Sequence, residues 1–294
     1  MKKNRFVISL LVVVITMLAA CNPTESPVPA TVFPLEIATG TTEPPFQTAT
    51  ATVFVMTPSL TPAFIFAPDK GEPVYPLADL RILSPGDGSR LISPIRPELS
   101  VILGTDNTIE VELLNSKGDL LVKKVLRFPE IGSNQRILIQ PEMDFEIAKG
   151  EEAGRLVVRT YDDFGRLTAL TSCDLTLLSQ GDSELKAARV PYELFLLTDP
   201  RSGDVIQGGI VAVSGYVRLI SQSVIVIELV DENGVEVSNR VMSLPGNLDG
   251  PPIVFSATLP YQVERETAVR LIIRQAMGTI PGPAFASSLL LRVR

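Results

Sequence analysis

The 294-residue chain has no histidine, no tryptophan, only two cysteines, and aromatic residues at 6% of its positions. Each shortage closes off a class of function. Without His there is no Ser-His-Asp or Cys-His catalysis, no His-ligated zinc and no imidazole pH switch. Without Trp the commonest sugar-stacking platform is missing, which leaves only Tyr and Phe for that role. Two cysteines exclude a disulfide framework, so an exported chain of this kind relies on its cores. Basic residues are the minority, 26 Lys and Arg against 33 Asp and Glu, and none form a run. Phosphate neutralisation supplies most nucleic-acid binding, so no nucleic-acid partner is expected.

The N-terminus carries the strongest local signal. Lys2-Lys3-Asn4-Arg5 precedes an apolar stretch from Phe6 to Leu18, and then come Ala19, Ala20 and Cys21. A positive start, an apolar run and small residues before the cut are the parts of a cleavable export signal. The run is too short for a comfortable spanning helix. Leu18-Ala19-Ala20-Cys21 resembles a lipobox, which implies that Cys21 becomes the lipidated first residue of the mature chain. The expected address is therefore extracytoplasmic, anchored to the bacterial cell membrane. Asn22 leaves the choice of membrane open. Removing Lys2, Lys3 and Arg5 with residues 1–20 takes the net charge from −7 to −10.

Residues 21–76 read as a disordered linker. Eleven of the 24 prolines and ten threonines fall between 22 and 76. Such a segment cannot bury enough surface to offset its ordering entropy. It acts as a stalk, with its Thr as candidate O-glycosylation sites, or as an unmodified spacer. At about 3.1 Å per residue it reaches on the order of 100 Å. The apolar spots Val53-Phe54-Val55-Met56 and Phe64-Ile65-Phe66 are read as tether and not as docking points.

From about Asp79 the texture changes. Short β-branched runs alternate with Gly, Pro, Asn and Asp turns every 8 to 15 residues, the pattern of an all-β sandwich. A short helical turn is expected near Met143 to Lys149. The two halves repeat. Leu83-Ser84-Pro85-Gly86-Asp87-Gly88 matches Thr198-Asp199-Pro200-Arg201-Ser202-Gly203 at an offset of 115. Ile109 to Gly118 matches Ile225 to Gly234 at 116, and Arg155-Leu156-Val157-Val158-Arg159 matches Arg270-Leu271-Ile272-Ile273-Arg274 at 115. A near-constant offset over most of a domain marks a duplication. The expected fold is two tandem immunoglobulin-like sandwiches, 77–179 and 192–294, joined by a linker at 180–191.

Seven strands are expected in each half. In the first they lie near 79–84, 98–103, 108–114, 119–127, 135–140, 154–161 and 166–178. In the second they lie near 193–198, 209–217, 223–230, 235–242, 252–259, 267–275 and 284–294. Asn115-Ser116-Lys117-Gly118 and Asp231-Glu232-Asn233-Gly234 are expected hairpin turns. Val224 to Leu229 alternates poorly and is expected to be central and covered on both faces.

In the second half, a strand ending in Asp199-Pro200 is followed by Gly203 and then by Val211-Ala212-Val213-Ser214-Gly215. After these come a hydrophobic strand and the Asp231 to Gly234 hairpin, and later Phe255 to Tyr261. Together these features resemble the second Gmad-type domain, an immunoglobulin-like bacterial module associated with sporulation and spore germination. The match is better over 193–294 than over 80–178. It departs at Met277 to Pro283, which is apolar where the pattern has Asp and Ser. The resemblance implies an extracytoplasmic interaction or structural module, and it implies no catalytic residues.

Little chemistry is visible otherwise. Asp162-Asp163 and Asp231 are read as turn acids that cap local backbone and face water, and not as calcium ligands. Gly208-Gly209 precedes a strand, so it is not a phosphate loop. Cys173 is read as a buried thiol sharing one strand face with Leu175 and Leu177. No metal and no cofactor are expected, and the chain is not expected to be an enzyme. Recognition is assigned to loops of the second domain, with Ile280, Phe285, Leu248 and Asp249 as binding-loop residues if exposed. The alternative for Ile280 and Phe285 is packing against the sandwich or the other domain. The expected function is binding or spacing of envelope components, with an unknown envelope protein as partner. The alternatives are a cell-wall or surface-glycan module using Tyr192, Tyr216 or Tyr261, and an accessory subunit or an enzyme using carboxylates or a metal.

Overall fold

A computed structural model describes residues 74–294, apart from 133, 134, 149, 189–191, 223 and 249, together with the backbone of Phe54–Val55. The leader, Cys21 and Asp249 lie outside the described residues. All described residues belong to one compact unit, Ala49–Arg294.

There is no helix among the described residues. β1 (Phe54–Val55) belongs to the tether. The first half contributes β2 (Leu80–Ser84), β3 (Arg90–Ile92), β4 (Glu98–Ile102), β5 (Thr108–Leu114), β6 (Leu120–Arg127), β7 (Arg136–Ile139), β8 (Glu151–Tyr161) and β9 (Leu167–Leu178). The second contributes β10 (Phe195–Asp199), β11 (Val205–Ile206), β12 (Ile210–Val217), β13 (Ile225–Val230), β14 (Glu236–Met242), β15 (Ile253–Pro260), β16 (Thr267–Ala276) and β17 (Pro283–Val293).

In each half a three-strand sheet faces a four-strand sheet. The small sheets run β2-β4-β7 and β10-β12-β15, and the larger ones β6-β5-β8-β9 and β14-β13-β16-β17. A short parallel strand, β3 on β9 and β11 on β17, carries the first strand across to the second sheet. These are immunoglobulin-like β-sandwiches, and both halves share one strand order. All fourteen expected strands form, thirteen within one or two residues of their expected ends and β8 starting three residues early, at Glu151. β3 and β11 were not anticipated, because two or three residues show no period.

Each half has its own core. Leu99, Val101, Ile109, Val111, Leu156, Val158 and Cys173 lie in the first. Val211, Val213, Ile227, Leu229, Phe255, Leu271 and Leu291 lie in the second. β15 shows the underlying pattern plainly: Phe255, Ala257 and Leu259 are buried while Val254, Ser256, Thr258 and Pro260 are exposed. β13 is central, between β14 and β16, but only one of its faces is fully buried; Val226, Glu228 and Val230 are half-covered.

Three expectations are corrected. Residues 141–148 form no helical turn; the backbone of Met143 instead exchanges two hydrogen bonds with Ile95, at 2.9 and 3.0 Å. The tether is not wholly free of the body, because β1 pairs antiparallel with the outer edge of β7, Phe54 opposite Leu138. The segment after residue 180 lies along the first sandwich, where the Gly86 N–H donates to the Lys186 carbonyl at 3.1 Å and Arg90 and Glu184 exchange backbone bonds.

The two large sheets are also one sheet. β9 pairs antiparallel with β17, with Thr171 opposite Phe285, Leu170 opposite Ala286 and Ala169 opposite Ser287. Leu170 and Ala286 are repeat counterparts, 116 apart, so the pairing places a pseudo-two-fold axis between them. A third apolar cluster of Leu114, Val157, Leu170, Ile272 and Ala286, with Val230 packed on it, surrounds that axis. It consists of three counterpart pairs: Leu114 with Val230, Val157 with Ile272, and Leu170 with Ala286. Burial on both sheet faces there explains why β8 and β16 each hold five consecutive buried residues and do not alternate.

Candidate functional site

The polar groups flanking the axis obey the same symmetry. Ser172 donates to the Ala284 carbonyl at 2.9 Å, and its counterpart Ser288 donates to the Thr168 carbonyl at 2.7 Å. Arg155, fully buried, donates from Nε to Asp174 at 2.6 Å and from NH1 to the Ile280 carbonyl at 3.0 Å, and it also bonds the Met277 carbonyl. Its counterpart Arg270 donates from Nε to Asp162 at 2.9 Å. Each arginine thus reaches the β-hairpin loop of the opposite half.

Asp162 is the centre of the second clamp. Its Oδ2 accepts from both Arg166 and Arg270 at 2.9 Å, and its Oδ1 accepts from the Phe164 and Arg166 N–H groups. Only 4% of it is exposed, which corrects the reading of a solvent-facing turn acid; the capping role does hold. Burial pushes its carboxyl pKa up, but the hydrogen bonds from Arg166 and the charge of Arg270 outweigh that and hold it below the ordinary carboxylate range. Asp163 plays no part in the clamp; its N–H donates to Thr105 Oγ1.

The expected binding loops are placed differently from one another. Ile280 is 4% exposed and Phe285 6% exposed, so neither is a surface contact. Ile280 lies in the 277–282 loop, which docks on the first half, where Arg155 takes its carbonyl and Pro281 lies against Gly118. Phe285 belongs to the second core and packs on Phe195 with ring centroids 5.7 Å apart. Leu248, 44% exposed, is a surface residue of the 243–252 loop. The apolar character of Met277 to Pro283 is the character of an interdomain contact.

The tyrosines proposed for glycan stacking are not brought together. Tyr261 is buried, with its hydroxyl within bonding distance of the Ile206 and Arg294 carbonyls. Tyr192 bridges Leu77 at the domain junction, and Tyr216 lies half-buried on β12. Cys173 is buried with Leu175 and Leu177 on one strand face, as expected, and its thiol lies 3.5 Å from the Pro85 carbonyl.

Sequence reasoning missed two further places. One is a cleft of about 270 Å³ at the junction, lined by Leu80, Ile82, Cys173, Tyr192, Leu194 and Phe285. The other is an acid pair beside it. Glu193 Oε1 accepts from the Asp79 N–H at 3.0 Å, and Arg136 donates to the Ala78 and Asp79 carbonyls. Burial pushes the Glu193 carboxyl up to about 7, against the lowering effect of the Asp79 N–H. Among the described residues no three His, Cys, Asp or Glu gather closely enough to hold a metal ion.

The outward sheet faces differ in charge. On the large sheet, Arg159 bonds Glu112 at 2.5 Å and its counterpart Arg274 bonds Glu228 at 2.9 Å, while Lys123 sits 2.7 Å from Glu110. Tyr161 donates to Glu110 at 3.0 Å and is pushed up to about 12 by burial and by that carboxylate. The small sheet of the first half carries Arg81, Glu98 and Arg136. On the second half, the outward positions of β12 are Ile210, Ala212, Ser214 and Tyr216, with no charge among them.

No family model matches the chain, and no curated protein matches it. Similar solved structures include dimeric latent PorU from Porphyromonas gingivalis, at 9% identity over 74% of this chain and 24% of that chain, with a TM-score of 0.22. This chain therefore spans about a quarter of the PorU chain. The titin domains z1z2 in complex with telethonin are 13% identical over 74% of this chain and 98% of that chain, TM-score 0.19. A marsupial T cell receptor is 10% identical over 73% and 74%, TM-score 0.22. The chain is, on its own strand pairing, an all-β protein of immunoglobulin-like sandwiches.

Proposed function

We propose that this chain is a lipid-anchored, extracytoplasmic protein that binds or spaces envelope components through its immunoglobulin-like domains, by protein–protein contact. The observation that carries this reading is the junction. Two sandwiches share one sheet and interlock through counterpart arginines and serines, so their exposed surfaces keep a fixed mutual geometry. Two independently tethered binding modules do not need such a junction; a rigid presenting body does. The buried charges Arg155, Asp162, Arg166 and Arg270 are engaged in that junction.

The anchor half of the proposal rests on Leu18 to Cys21, and the tether half on residues 21–76. The resemblance of 193–294 to the second Gmad-type domain supports an interaction module over a catalyst. Mechanistically, the anchor concentrates the protein at the membrane, the tether sets its reach, and exposed loops such as 243–252 make the contact.

Two measurements test it. Expressed in a bacterium, the full chain should take up labelled palmitate and pellet with membranes, and Cys21→Ser should do neither. The chain from residue 22 onward, crosslinked into an envelope fraction, should capture a protein saturably, with Leu248→Asp weakening capture and leaving the melting temperature unchanged. Unaltered fractionation of Cys21→Ser overturns the anchor, and absence of any enriched protein overturns the binding role.

A further inference from the structure

Sheet edges are templates for pairing, and folded proteins protect them with charge, proline, bulges or a covering segment. In this body the edges are unequally protected. β6 carries Lys123, Lys124 and Arg127. β14 carries Glu236 and Arg240, and its pairing with β13 is bulged. β2 and β10 are short, bulged and followed by Pro85 and Pro200. The outer edge of β7 is covered by β1 from the tether.

β15 is the counterpart of β7 in the second half, and of these devices it has proline alone, at its two ends: Pro251-Pro252 before it and Pro260 as its last residue. It runs eight residues in unbroken register with β12, with no bulge and no charged side chain. Among the described residues no strand pairs with its other edge, and no further backbone hydrogen bond reaches 253–260. Its outward residues are Val254, 69% exposed, Ser256, Thr258 and Pro260. They continue the uncharged face of β12, so covering them strips water from no ion. Among the described strands of this sheet the one charged residue is Asp199, on the opposite edge strand β10.

We infer that β15 is a homodimer seam, pairing antiparallel with β15 of a second copy across a two-fold axis. The occupant is a second copy for three reasons. Self-pairing sets the uncharged edge against an equally uncharged edge. An antiparallel strand paired with itself is isologous and closes at two copies, consuming the open edge on both and leaving none to propagate. The chain already joins its own two halves in this way, counterpart strand to counterpart strand, at β9 and β17. The inference is independent of the lipid anchor and of any envelope partner.

The test is sedimentation velocity on the chain from residue 22 onward, which includes every described residue, over roughly 1 µM to 1 mM, the range in which unaided edge pairing is expected to register. The sedimentation coefficient should rise from a monomer to a dimer value. Thr258→Lys, and separately Ser256→Lys, should raise the dimer dissociation constant at least about tenfold, because each puts like charges close together across the axis. Both positions are exposed, so melting temperatures should stay unchanged; if one variant melts early, the other decides. Ser238→Lys on β14 should leave dimerisation as it was. Amide exchange at high concentration should slow in β15 and not in β6 or β14. A monomer throughout overturns the inference. So does a dimer that tolerates both lysines, or one that protects another edge.

Discussion

The two clamps at the interdomain junction began as the same structure and now differ. Arg155 and Arg270 occupy equivalent positions of the repeat, and each reaches the opposite half's loop. Arg155 has an acid of its own, Asp174, directly across the strand pair, and gives its remaining donors to backbone carbonyls. The residue equivalent to Asp174 is Leu290, so Arg270 has no acid in its own half and takes Asp162 from the first. Asp162 in turn is equivalent to Met277, which offers only its carbonyl to Arg155. Both acids are therefore on the first half. The duplication preserved the arginines, where the backbone and the apolar cluster fix the position, and let the partner groups diverge, because a carbonyl or a carboxylate can satisfy the same donors.

This difference has a sharp consequence. At the Arg270 clamp one buried carboxylate is shared by two guanidinium groups, with side-chain exposures of 4% for Asp162, 2% for Arg166 and 11% for Arg270. Asp162→Ala leaves two buried cations without their partner and should cost about 3–5 kcal/mol, read by denaturant unfolding. At the other clamp Asp174 is partly solvated, at 32% exposure. Arg155→Leu retains bulk and leaves an acid that water can reach, plus two carbonyls to rehydrate, so about 2–3 kcal/mol is expected. If the two substitutions cost the same, the asymmetry has no energetic meaning. The clamps should also differ in acid. The folded Asp162 pKa lies below its unfolded value. Its contribution is present above the unfolded pKa, about 3.9, and is lost as pH falls through the folded value. Asp162→Asn should remove that part of the acid transition.

Much of this fold was legible beforehand. Alternating β-branched runs placed fourteen strands, and the constant offset identified the duplication. The clamp arginines were visible too, since Arg155 and Arg270 head the best-matched repeat segment. Their roles were not, because each partner is remote in sequence: Met277 and Ile280 for one, Asp162 for the other. The five-residue buried runs of β8 and β16 were the available signal, since alternation fails where both faces are covered. Of the two readings left open for Ile280 and Phe285, packing on the chain's own body is the one that holds. An apolar Gly- and Pro-rich loop reads alike whether it meets a foreign partner or the chain's own other half. The exposed Leu248 loop had equal standing in the sequence, and only packing separates the two.

The acid pair beside the cleft belongs to the junction but opposes it. Glu193 has its folded pKa raised from 4.5 to about 7. The folded state therefore binds its proton more tightly than the unfolded state. Relative stability is greatest below about 4.5 and falls as pH rises through about 7, above which the charged carboxylate is fully present. Glu193→Gln keeps an acceptor for the Asp79 N–H without the charge. It should raise the melting temperature at pH 8 by an amount worth at most roughly 3 kcal/mol, leave it unchanged at pH 4, and flatten the slope between. A variant less stable at pH 8 would show that attraction to Arg136 outweighs the burial cost.

The smallest expected effect compares the hairpins that the repeat kept alike. Asn115 Oδ1 accepts from the Lys117 and Asp119 N–H groups, both at 2.9 Å, and Asp231 Oδ1 accepts from the Asn233 and Val235 N–H groups at 2.8 and 2.9 Å. The geometry is the same, and only the charge differs. The N–H groups around Asp231, with Val235 foremost, hold its carboxyl below the usual range. Replacing either residue by Ala removes two local bonds at an exposed turn and should cost about 0.5–1 kcal/mol, as for other short side-chain caps. The two losses should be equal at pH 3, where the unfolded Asp is protonated, and should separate at pH 7, where the ionised acceptor is the stronger one. Equal losses at both pH values would mean that these turns are held by Gly118 and Gly234, with φ of 84° and 77°, and that the side-chain charge is irrelevant to them.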